Sequence, residues 1–142
     1  MIINNNSILT PATRNNVNAF MHRIINSNGL FVVNGYTENP FFQAAQLSVY
    51  SPDTGLQFNI DISRDGEIRL PYYPQMGGRS IHAVIETPMY NINNIGPDEL
   101  WNRFLDYNEL IFENYGTEIM NLNNGQPSNI LVTEQDLEAQ LR

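Results

Sequence analysis

The chain has 142 residues, 42% of them hydrophobic and 11% aromatic, which suits one domain with a real core and excludes wholesale disorder. It contains no cysteine, so disulfides, thiolate metal sites and a cysteine nucleophile are excluded. Fifteen acidic residues face seven basic ones, and the net charge of −8 repels nucleic acid and anionic membrane surfaces alike.

A basic or partly unfolded protein is therefore the partner that the charge favours, the alternative being that the charge only keeps the molecule soluble. All seven basic residues are arginine. Avoidance of lysine modification is one reading of that bias, and compositional drift in an acidic protein is the other. The start, MIINNNSILTPATRNN, has no basic leader followed by an apolar stretch, and no run approaches the ~18 apolar residues of a membrane span. The expectation is a soluble, cytoplasmic, single domain over residues 1–142 with residues 1–10 frayed.

Thr10-Pro11 reads as an N-cap with proline at the first helical position. Val17, Phe20, Met21 and Ile24 then recur at helical spacing, and Asn28-Gly29 is a stop, so a first helix is predicted over about residues 11–27. A short strand is expected at Leu30–Val33, broken into loop by Gly35, Asn39 and Pro40. The period then becomes two. Leu47 and Val49 alternate with polar neighbours; after a turn at Ser51–Gly55, Leu56, Phe58, Ile60 and Ile62 do the same; Asp65-Gly66 turns again before Ile68 and Leu70. Three such segments joined by tight turns predict an antiparallel meander.

Pro71, Pro74, Gly77 and Gly78 mark a loop, Ile81–Thr87 has the composition of a further strand, and MYNINNIG reads as irregular. Gly96-Pro97-Asp98-Glu99 opens a second helix with a wide apolar stripe of Leu100, Trp101, Phe104, Leu105, Ile111 and Phe112, and Gly116 is expected to end it. Thr117–Leu122 and Asn129–Val132 around Asn123-Asn124-Gly125 suggest a second hairpin, and Thr133–Asp136 has the capping-box form of a closing helix. The predicted class is α+β: an antiparallel sheet of about five strands with helices packed on it, in the order α-β-β-β-(β)-α-β-β-α.

Motifs of chemistry are scarce. His22 and His82 lie on different elements and in no metal-binding spacing, so each reads as structural. Asp61, Asp65 and Glu67 cluster at a turn but lack the full oxygen loop of a calcium site. No phosphate loop or nucleophile elbow occurs. No catalytic residue, cofactor or metal is assigned, and the expected role is protein binding without catalysis. A small enzyme or ligand-binding domain using His22 or His82 stands as the reading from a different class.

The segment GPDELWNRFLDYNELIFENYGTEIMNLNNG resembles the matching region of class I type III secretion chaperones, in which a helix with leucines and a central asparagine leads through a glycine to a strand, a tight turn and another strand. The counterparts are Leu100, Trp101, Leu105, Asn108, Gly116, Thr117 and the Asn123-Asn124-Gly125 turn. The likeness in detail covers about residues 96–132. That family is also small and acidic, with the order α-β-β-β-α-β-β-α, in which the segment at about 76–95 has no clear counterpart. The resemblance implies a homodimer that holds an extended segment of a secreted effector, without ATP. It implies a dimer seam at Trp101, Phe104, Leu105 and Asn108, and an effector groove lined by Phe20, Met21, Ile24, Leu47, Val49 and Phe58. The rival binder is an acidic immunity protein or phage-type inhibitor that neutralises a basic target.

Overall fold

A computed structural model of the chain describes residues 3–70, 75–76, 79–81, 89–123 and 131–132, with side chains described for 3–70 and 89–111. The described elements run α1 (Pro11–Ile25), β1 (Val32–Asn39), β2 (Ala44–Tyr50), β3 (Gln57–Ser63), β4 (Glu67–Arg69), β5 (Gln75–Met76), β6 (Arg79–Ile81), β7 (Met89–Asn91), α2 (Ile92–Ile95), α3 (Pro97–Asn123) and β8 (Leu131–Val132). The chain is an α+β domain in which helices pack on an antiparallel sheet. Three long strands carry the sheet and five short ones extend it.

Helix α1 begins as its sequence dictates. The Thr10 hydroxyl accepts the Thr13 N–H, Pro11 occupies the first turn, and the apolar face of Val17, Phe20, Met21 and Ile24 is buried. Strands β2 and β3 follow the alternation closely: Ala45, Leu47, Val49, Phe58, Ile60 and Ile62 point into the core, and their neighbours point out. Their register pairs Leu47 with Ile60 and Val49 with Phe58, so the inward residues stand side by side. The β3–β4 turn at Asp65-Gly66 forms as predicted, with Gly66 at a φ of 98°.

The core is an aromatic cluster where α1, α3 and the sheet meet. Phe31 sits at its centre, 4.8 Å from Phe104, 6.0 Å from Trp101 and 6.3 Å from Phe58 between ring centroids. Phe20 and Tyr107 close it from either side, against Trp101 and Phe58 respectively. These pairs meet edge to face, the arrangement favoured by the ring quadrupole.

Four expectations are corrected. Residues 3–10 do not fray: Ile3 and Leu9 are buried, and the Ile3 N–H donates to Asn18 Oδ1 at 2.8 Å. Strand β1 is longer than expected because Gly35 does not break it; the register slips between Val33 and Gly35 and then runs on to Asn39. A bulge at Asn34, which has no partner in β2, takes up the slip, and Gly35 itself pairs with Ser48. The MYNINNIG segment is ordered as β7 followed by α2, with Asn91 capping the helix through the Asn93 N–H. Helix α3 passes through Gly116 to Asn123, so Thr117–Leu122 is helical rather than a strand. Glycine inside a helix costs only about 1 kcal/mol, and the Glu118, Met120 and Leu122 that follow are good helix formers. Of the later elements, β6 and β8 cover part of the expected strands at 81–87 and 129–132; residues 82–88, 124–130 and 133–142, including the expected closing helix, lie outside the described residues.

Candidate protein-binding surface

The six residues expected to line an effector groove do not line one. Phe20, Met21, Ile24, Leu47, Val49 and Phe58 are at most 1% exposed and fill the space between α1, α3 and the sheet. Their periodicity marks the interior of this chain, since helix and sheet turn the same faces towards each other. The expected dimer seam is divided in a similar way. Phe104 is fully buried and Trp101 is 9% exposed, both inside the aromatic cluster. Leu105 and Asn108 are half-buried, and Asn108 Oδ1 is a buried acceptor with no hydrogen-bond partner among the described residues. His22 is exposed on α1, and His82 lies outside the described residues.

What the fold leaves outside lies along β1. This strand ends the sheet, with only β2 paired to it, so among the described residues no strand covers the backbone donors and acceptors of its far edge. At its start, Ile25, Gly29, Phe31, Val32 and Val33 line an open cavity of about 300 Å³. Ile25 is 50% exposed, and Leu30 and Val32 are each 40% exposed. Ser27 builds the connection from helix to strand: its hydroxyl donates to Ile24 O and its oxygen accepts the Phe31 N–H. Asn28 and Gly29 both take left-handed conformations there, so the Asn-Gly stop seen in the sequence also shapes the cavity.

At the other end of β1 the hairpin tip displays two phenylalanines, Phe41 at 88% and Phe42 at 71% exposure. The display is built locally. Asn39 Oδ1 accepts the Phe41 N–H at 3.0 Å and the Phe42 N–H at 3.3 Å, and Gln43, at a φ of 51°, turns the chain into β2. The rings meet each other at 5.2 Å and 90°.

Between these ends sits Glu38, pointing to the core side of an edge strand. Its carboxylate accepts hydrogen bonds from the Ser7 and Tyr36 hydroxyls, and from the Ile8 N–H at 3.1 Å. Burial works against the charged form, but these three donors outweigh it and hold the carboxyl below its ordinary value. Burial pushes the Tyr36 hydroxyl well up, with the Glu38 hydrogen bond adding to it, so Tyr36 stays a donor. Glu38 thereby fastens the N-terminal strap to the sheet edge.

The chain was compared with models of known families, with curated proteins and with solved structures. Nothing matched.

The sequence carried a signal for this surface that its alternation did not reveal. From Ile24 to Pro52 the only charged residue is Glu38, so the whole negative excess of the chain lies beyond residue 52. A charge-depleted, aromatic-bearing stretch is the composition of an interface core. By contrast, the hollow of about 180 Å³ beside β4 holds Asp61, Glu67 and Arg69, all exposed and of mixed sign. Among the described residues no group of three or more His, Asp or Glu converges as a metal site, and no helix is long and apolar enough to cross a membrane.

Proposed function

We infer that this chain is a non-enzymatic binding domain that holds an extended segment of another protein along the free edge of β1, the role of a secretion chaperone. The open edge carries the reading. An added strand would satisfy its unpaired backbone groups and drop an apolar side chain into the cavity beside Ile25 and Val32, the β-augmentation mode of peptide recognition. The site differs from the groove that the sequence suggested, because the side chains of that groove are used up in the core. The stretch without charge lets an apolar client approach a molecule that is otherwise strongly acidic.

The test is selection of extended peptides on the immobilised chain, followed by hydrogen exchange of the complex. Slowed exchange in β1, with weaker binding by Val32→Lys and Thr37→Lys, supports the reading, since edge lysines discourage strand addition. Peptides that bind without protecting β1 would reject it. Salt separates the rival: a client held on an apolar edge should tolerate high salt, whereas an acidic inhibitor of a basic target should lose affinity steeply.

A further inference from the structure

The two ends of β1 complement each other. One end projects a pair of phenylalanine rings, and the other holds an apolar cavity of about 300 Å³ that has room for a ring. Eight residues of strand separate them, so tip and cavity stand roughly 23 Å apart and cannot meet within one molecule. We propose that they meet between molecules: the Phe41-Phe42 tip of one copy enters the Ile25–Val33 cavity of the next.

Three observations select a second copy as the occupant. Knob and hole belong to one chain, so every copy brings both halves of the contact at equal concentration. Both lie in the stretch from Ile24 to Pro52, whose single charge, Glu38, is already engaged with Ser7 and Tyr36, so neither half of the contact brings a free charge of its own to be desolvated. The Asx turn on Asn39 holds the rings outward before any partner arrives, which lowers the ordering cost of insertion.

Size sets the strength. Each phenylalanine buries at most about 250 Å², and the cavity lining adds a similar area, which places the contact below the ~1,200 Å² of a stable interface. The association is therefore weak, reversible and concentration-dependent. Tip and cavity are different surfaces, so the same contact serves a closed pair, each tip in the other's cavity, or head-to-tail growth, and the mass reached at high concentration tells them apart. A client side chain in the cavity would displace the neighbouring tip, so self-association and client binding exclude each other. That consequence alone rests on the function proposed above.

Sedimentation velocity of the full chain over a wide concentration range tests the proposal. Wild type should show a mass that rises with concentration. Phe41→Ala/Phe42→Ala should weaken association by about tenfold or more, as should Ile25→Asn, with Val32→Asn as an independent change at the cavity. Unchanged thermal unfolding of each variant shows that the fold is intact. The deciding step is a mixture. A tip variant and a cavity variant, each monomeric alone, should form a one-to-one pair through the intact tip of one and the intact cavity of the other. A monomeric wild type, association that survives loss of the tip, or cavity variants that associate like wild type through tip-to-tip contact would each overturn the proposal. So would a mixture that stays monomeric, or a tip that binds neutral lipid vesicles instead. Failure of peptides to protect β1 would remove the proposed function and leave these outcomes as they are.

Discussion

Truncating Phe104 to alanine separates a core role from a subunit seam. The ring has no exposed area and lies 4.8 Å from Phe31, 5.3 Å from Phe58 and 6.2 Å from both Phe20 and Trp101. Burial of such a side chain is worth about 2–3 kcal/mol, and edge-to-face contacts add about 0.5–1.5 kcal/mol per pair. Four large neighbours held by two helices and a sheet cannot all collapse into the gap, so the loss should reach about 3–5 kcal/mol. That is a large part of the ~5–15 kcal/mol that stabilises a typical domain. Urea unfolding should show a midpoint lower by about 1 M or more, with an unchanged slope. Phe104→Leu should recover more than half of the difference. A shift worth less than about 1 kcal/mol, accompanied by a change in solution mass, would refute the assignment and return Phe104 to a subunit seam.

Three further outcomes are expected. Glu38→Gln should cost about 1–2 kcal/mol at neutral pH by weakening the Ser7, Tyr36 and Ile8 hydrogen bonds. Because the folded value of Glu38 is lowered, its contribution is present above the ordinary value of 4.5 and lost as pH falls through the folded one. Stability measured against pH should therefore have a shallower acid limb in the variant, and an identical limb would contradict the role given to Glu38. Gly66→Ala should cost about 2 kcal/mol or more in thermal unfolding: φ is 98°, and the new Cβ would lie 2.6 Å from Asn93 Nδ2, which bridges Thr13 and Asp65 O. Thr10→Ala removes the cap of α1 and should cost about 1 kcal/mol by chemical denaturation, whereas Thr10→Ser should cost little.

Much of the fold was legible because local chemistry and packing agree. In α1 the cap, the proline and the 3.6-residue period point one way, and in β2 and β3 a period of two coincides with one buried face. Legibility failed where glycine and asparagine serve ends other than termination. Gly35 pairs within a strand beside a bulge at Asn34, Gly116 is carried inside a long helix, and Asn91 caps a helix in a segment that looked irregular. The candidate surface was hidden for a different reason. An apolar face looks alike in sequence whether it meets its own sheet or a partner, so Phe20 and Phe58 could be read as groove when they are core. Phe41 and Phe42 break every alternation and follow a proline, and their placement needed the hairpin register that sets them at its tip.

The outer face of the sheet has a consequence for how the molecule comes apart. There Ser48 donates to Asn59 Oδ1 at 2.9 Å, Gln57 donates to the same oxygen at 3.2 Å, and Asn34 reaches Gln57 at 3.5 Å. Amides and hydroxyls do not change protonation as the solution is acidified, while the carboxylate that fastens the N-terminal strap does. Acid strong enough to take the pH below the ordinary carboxylate range, through the lowered folded value of Glu38, should thus loosen the strap and the margin of β1 first, with β2 and β3 still joined. Amides at the margin of β1 would exchange with solvent earlier than those of β2 and β3, so the hydrogen bonds that hold the strap also set how firmly the edge of the sheet stays closed.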